Sequence, residues 1–128
     1  WVLTEKVREA LGAQICLQYA DPDKKLRVVQ LSQQWAEKIL EHRVDPQDGS
    51  EPFVAFDPQE GRHWIKSVSD TIAAVRTNFQ PIILCPAEVR QLVYSSTERE
   101  MKLVVISIQE VLAAGTNVSL EPVGEINA

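Results

Sequence analysis

Cysteine is nearly missing from this sequence: only Cys16 and Cys85 occur among 128 residues, far apart and in no C-x-x-C pair. That excludes a disulfide framework or a zinc knuckle and makes a reducing cytosol the expected compartment. Glycine is scarce too, with five residues, and neither G-x-G-x-x-G nor G-x-x-x-x-G-K-[ST] occurs, so no loop of the usual kind cradles a nucleotide's phosphates. No apolar run approaches the roughly 20 residues that span a bilayer, and no basic stretch leads into an apolar one at the start. Clustered Lys and Arg are also lacking. With a formal net charge of -5 and interspersed charges, a nucleic-acid surface is not expected. The two histidines, His42 and His63, have no second ligand one helical turn away and no nearby cysteine. Both read as solvated surface residues, and neither a metal nor a cofactor is expected.

What is present is an ordinary globular composition, 45% hydrophobic and 24% charged. The length suits one domain that buries about two-thirds of its unfolded surface. The chain opens at Trp1 rather than Met, and Val2 to Leu17 reads as the middle of something helical. A piece of a larger protein is therefore expected, with any membrane span in the part not seen.

Leu3, Val7, Ala10, Leu11 and Ile15 recur at helical spacing with Glu5, Lys6, Arg8 and Glu9 between them, which predicts one amphipathic helix. Gly12 weakens it slightly, and "ADPDKK" at 20 to 25 ends it with turn chemistry. A short β-branched run, Leu26 to Leu31, stops at Ser32, an N-cap for a helix through Glu41 in which Trp35, Ile39 and Leu40 share a face. The stretch "HRVDPQDGSEP" predicts an exposed loop, and the loop region extends over 43–56. Its acids miss the spacing of a calcium loop. Asp57-Pro58-Gln59-Glu60 is a strong helix start, followed by Trp64, Val68, Ile72, Val75 and Phe79 on one core-facing stripe. Both Trp35 and Trp64 read as core residues.

Strands are expected at 26–31, 81–85 and 103–107, each nearly continuous in apolar residues, as in strands covered by helices on both faces. The helical patterns between them supply the crossovers of a parallel sheet. The final "NVSLEPVGEI" alternates and then meets Pro122, which places it on a sheet edge or in an extended tail. The expected fold class is α/β: a small, mostly parallel sheet with flanking helices, preceded by a helix from an adjoining helical subdomain.

The stretch "IILCPAEVR", residues 82 to 90, poses the question of catalysis, since it puts Cys85 ahead of Arg90. A C-x5-R phosphate loop needs five mostly small intervening residues whose N–H groups curl around the anion. Here four intervene, Pro86 has no N–H, and Glu88 places a negative charge where the anion would sit. The plainer reading makes Cys85 a small buried hydrophobe, Pro86 a first helical residue and Glu88 a complement to the helix dipole. A small cysteine-dependent phosphate enzyme and a regulatory ligand-binding α/β domain stay open as alternatives. Trp1 has no visible partner and reads as a residue facing a missing preceding domain.

In order along the chain, "VREALGAQICLQY", "LRVVQLSQQWAEKIL", "PIILCPAEVRQLV", "LVVISIQEV" and "VSLEPVGEI" together resemble the C-terminal cytosolic region of the type III secretion export-gate family. That family has FlhA-type flagellar and InvA-type virulence members. The carrying motifs are Pro81 to Leu84, Pro86 to Arg90, Ile106 to Val111 and Val123-Gly124. The chain departs from the family in "YSSTEREMK", which has a single Arg99 where members carry a Leu- and Arg-rich run, and in the 43–52 loop.

The resemblance implies a non-catalytic module. It implies that 1–22 holds the last helix of a preceding helical subdomain, with 26–128 a small α/β terminal subdomain. It further implies a nonameric ring in the full protein at the cytoplasmic face of the bacterial inner membrane, with export chaperones, substrates and other export-apparatus proteins as partners. Trp1, Glu5 and Arg8 would then lie near the ring-forming subdomain as interface residues. The chaperone groove of the family lies mainly on subdomains outside this stretch, so the fragment alone is expected to bind chaperones weakly and to be mostly monomeric.

Overall fold

The computed structural model describes residues 2–75, 82–98, 100–101, 103–115 and 118–127, with backbone alone for Val2 and Leu3. The elements run α1 (Val2–Ala10), α2 (Gly12–Tyr19), β1 (Lys25–Leu31), α3 (Gln33–Glu41), β2 (Arg43–Val44), β3 (Phe53–Val54), α4 (Pro58–Val75), β4 (Ile82–Cys85), α5 (Ala87–Thr97), β5 (Val104–Ser107), α6 (Ile108–Ala114) and β6 (Ser119–Ile126). Trp1, Phe79, Pro81 and Arg99 lie outside the described residues.

β1, β4, β5 and β6 form one parallel sheet in the order β5-β4-β1-β6. Side chains alternate across a strand, so its odd and even positions serve opposite faces. Val29 and Leu31, with Ile83, Cys85 and Val105, meet Trp35, Trp64, Val68, Val89 and Leu92 of α3, α4 and α5. Leu26, Val28, Ile82, Leu84 and Ile106 meet Cys16 of α2 and Ala114 of α6 on the other face. The continuous apolar runs are thus explained as expected, by two helical layers. β6 occupies the edge that its proline requires, and the register shifts between Val28 and Val29, whose partners are Pro122 and Gly124. A Cβ on Gly124 would stand 2.9 Å from a methyl of Val75, so glycine here lets α4 close onto β6.

Several local expectations need correction. The first helix is two helices joined at Leu11, whose φ of -99° and ψ of 16° interrupt the spiral. Its N–H is shared between the carbonyls of Val7 and Arg8, at 3.0 and 3.1 Å. Pro86 is an N-cap, not a first helical residue, because its ψ of 148° is extended. Residues 43–44 and 53–54 pair as an antiparallel ribbon inside the expected loop, with the Gln91 amide of α5 donating to Glu51 in the connection between the two strands. Leu40 is exposed although Trp35 and Ile39 on the same helix are buried.

His42 is no simple solvated residue. Its Nδ1 lies 2.8 Å from the Lys38 carbonyl and its Nε2 3.3 Å from Glu60, while its ring packs on Phe56. The Asp57 cap forms as expected, accepting the N–H of Glu60 at 2.8 Å. Glu60 itself turns to His42 and Lys38. His63 is exposed at one side but packs its ring 5.3 Å from that of Trp35.

Candidate functional site

The face that α1 turns toward the sheet is polar where hydrophobic periodicity pointed to an apolar one, while α2 packs Ala13, Ile15 and Cys16 into the apolar layer. Glu5, Arg8, Gly12 and Cys16 follow one another at three- and four-residue spacing, so they stack along one side of the helix pair. Val7 and Leu11 of the apolar stripe remain 49% and 45% exposed.

At the centre of this face stands Glu110, which is 1% exposed. Its position follows from local chemistry. Ser107 ends β5 with a ψ of 156° and caps α6, accepting the Glu110 N–H through Oγ at 3.1 Å. Glu110, third in the helix, reaches back to accept the Ser107 N–H at 3.3 Å and its hydroxyl at 3.2 Å, closing a capping box. From α1, Arg8 then donates NH2 to Glu110 Oε2 at 3.0 Å and Nε to Oε1 at 3.4 Å. From α5, Arg90 brings its Nε to 3.9 Å from Glu110 Oε1. Arg90 also grips Glu5, donating Nε to both carboxylate oxygens at 3.0 Å and NH2 to Oε1 at 2.7 Å.

The four groups alternate in sign, Glu5, Arg90, Glu110, Arg8, so every charge taken out of water has an opposite neighbour. Both arginines also donate to the Val105 carbonyl at 3.3 Å. Among the described residues β5 is the last strand of the sheet, and this carbonyl has no strand partner on its outer side. The guanidiniums close an edge that would otherwise be left unpaired. Gly12 completes the contact. A Cβ there would sit 2.5 Å from the Glu110 carbonyl and 2.8 Å from Ala113, so α2 and α6 touch backbone to backbone.

This arrangement uses up the residues of the enzyme alternative. Cys85 is 1% exposed, and burial pushes its thiol far up, against a smaller downward pull from Arg90. Cys16 is pushed up to about 11 by burial and by Glu110, and its Sγ lies 3.7 Å from the Glu110 carbonyl. A thiolate nucleophile needs the opposite environment, exposed and electropositive. Arg90, the other half of the pair, is held by Glu5.

Of the expected interface residues, Glu5 and Arg8 are brought together in this joint and Trp1 lies outside the described residues. Sequence reasoning missed Arg90 and Glu110 as its other half, and it missed α6 altogether. The Ser107-x-x-Glu110 spacing ahead of an apolar run was the available signal. An open groove of about 760 Å³ on the α4 and α5 side, floored by Trp64 and Ser96, carries charges of both signs, among them Arg62, Lys66, Asp70 and Glu100. Among the described residues, no group of His, Cys, Asp or Glu could hold a metal ion, and no helix is long and apolar enough to cross a membrane.

Comparison with known proteins gives the family. The family model described as FHIPEP matches residues 1–115. The chain is 28% identical over 127 residues to the flagellar biosynthesis protein FlhA of Treponema pallidum, spanning 98% of this chain and 17% of that protein. To FlhA of Borreliella burgdorferi it is 29% identical over 111 residues, spanning 85% and 16%. The fold matches the Chlamydia pneumoniae CdsV protein with a TM-score of 0.82 at 28% identity, over 98% of this chain and 35% of CdsV. It also matches nonameric SctV-C of EPEC with a TM-score of 0.80, over 98% and 36%, where 22% identity speaks for the fold alone. The chain therefore spans about one-sixth of the length of the flagellar proteins it resembles. It belongs to the FHIPEP family, the export gates of flagellar and virulence type III secretion.

Proposed function

We propose that this chain serves as the terminal, non-catalytic subdomain of an export gate at the cytoplasmic face of the bacterial inner membrane. There it contributes to ring assembly and to the docking or commitment of chaperone-bound substrates. Residues 1–22 act as the link to a preceding helical subdomain and 26–128 as the α/β unit. The observation that carries this reading is the joint itself. The chain's best-organised polar groups are spent on fastening α1 to the sheet, which is what a module passing position from one subdomain to the next requires. A relative supports it: CdsV of Chlamydia pneumoniae, at 29% identity, has been seen in a complex with CdsO. In this role Glu5 and Arg8 set the orientation in which α1 meets a neighbouring protomer, with Trp1 as a further interface residue.

The test uses the full cytosolic region with and without residues 26–128. Ring assembly is followed by analytical ultracentrifugation and binding of chaperone-substrate complexes by calorimetry. Loss of either on deletion is expected, and indifference of both would overturn the proposal.

A further inference from the structure

α1 is attached to the rest of the chain in a way that sets it apart. None of its side chains from Thr4 to Ala10 is fully buried, whereas α2 through α6 each bury at least one residue in the packed layers. Among its described side chains, those that grip the unit most closely are charged: Glu5 on Arg90, and Arg8 on Glu110 and the Val105 carbonyl. Just beyond Arg8 the helix is interrupted at Leu11. The next turn is anchored firmly, by the backbone approach at Gly12 and by the fully buried Cys16. A weak attachment, an interruption and a strong anchor thus follow one another along the chain.

We propose that α1 is a hinged latch, pivoting at Leu11, with Glu5–Arg90 and Arg8–Glu110 as its catch and the outer edge of β5 as the surface it covers. A latch needs an open state that the unit can tolerate, and the geometry supplies one. When α1 leaves, Arg90 and Glu110 remain 3.9 Å apart, so the two charges deepest in the unit still neutralise each other. The side chains that go back to water are the more exposed members, Glu5 at 24% and Arg8 at 28%. Opening therefore strands no lone buried charge, which is the usual reason that breaking an ionic contact is so costly. It also disturbs none of the apolar layers, so it is a local event that can occur well below the free energy of global unfolding. The open state takes Arg8 off the Val105 carbonyl, to which Arg90 still donates, and bares the α1 side of the β5 edge.

The experiment places spin labels at the exposed positions Thr4→Cys and Gln59→Cys of the 128-residue chain, leaving the buried Cys16 and Cys85 unlabelled. Pulsed electron paramagnetic resonance then gives the distance distribution. One narrow distance is expected in this background. Adding Glu5→Lys, which sets two cations face to face at Arg90, should move most molecules to a broad, longer distribution while the near-ultraviolet circular dichroism of Trp35 and Trp64 is kept. Lys6→Glu, one position away on the exposed side, should leave the narrow distance in place. The latch is overturned by a broad distribution already present in the parent, by a narrow one retained in Glu5→Lys, or by loss of the tryptophan signal together with the distance change. The last result would make α1 part of the cooperative fold.

Discussion

Arg90 on α5 holds the carboxylate of Glu5 on α1 at 2.7 and 3.0 Å, across 85 positions of sequence. A guanidinium that engages one carboxylate through two nitrogens fixes direction as well as distance. The residue best placed to suggest phosphate chemistry in the sequence is in this way a clamp between two helices. Its ring neighbour Tyr94, 5.9 Å away, adds a cation-π contact on the solvent side.

Glu110→Ala removes the carboxylate shared by Ser107 and Arg8 and takes the nearest anion from Arg90's inner side. Removing one partner from a buried ionic contact costs about 3 to 5 kcal/mol. Losing the capping box adds about 1 kcal/mol. Glu110→Gln keeps the length and an acceptor but drops the charge, and a smaller loss is expected. Urea unfolding midpoints of the two variants check the order.

Glycine-to-alanine changes should have opposite signs at two helical positions. At Gly12 the added methyl meets a backbone carbonyl at 2.5 Å, so α2 must back away from α6. An overpacking cost of about 1 to 3 kcal/mol exceeds the helix-propensity gain of about 1 kcal/mol. At Gly61 the nearest atom is Phe56 Cβ at 3.9 Å, and Ala should stabilise by about 0.5 to 1 kcal/mol. Thermal denaturation of both variants beside the parent separates the two effects.

Stability should fall in alkali through the buried thiols. Cys16 ionises at about 11 in the folded chain against an ordinary value near 9. Below pH 9 it is neutral in both states and its contribution is intact. Between about 9 and 11 only the unfolded chain sheds the proton, so the unfolded state gains and stability declines. Cys85 acts in the same direction. Cys16→Ala should show a shallower fall in urea midpoint between pH 8.5 and 10.5 than the parent. Equal slopes would show that the thiol does not contribute.

The fold was largely legible because two-sided burial leaves a mark in composition. Leu26 to Leu31, Ile82 to Cys85 and Val104 to Ser107 could be read as strands covered on both faces from their nearly continuous apolar character. Asp57-Pro58 and Ser32 announced helix starts for equally local reasons. α6 escaped notice because it is short, at seven residues, and leaves Ile108 and Leu112 exposed, which blurs its periodicity. The 43–54 ribbon escaped because two-residue strands carry no period at all, and its position depends on α5.

The sequence by itself determined the α/β class, the strands β1, β4 and β5 with the helices between them, the burial of both described tryptophans and the weakness of Cys85 as a nucleophile. All of these rest on properties of neighbouring residues: side-chain period, cap chemistry and a missing N–H. Only the tertiary structure decided that β6 lies beside β1, that Gly12 is a contact rather than a flaw in a helix, and that Glu5, Arg8, Arg90 and Glu110 form one ionic joint. Those are relations between residues up to 102 positions apart. Nothing in a charged residue's local context says which opposite charge it will meet, because that choice is made when packing removes water from the pair.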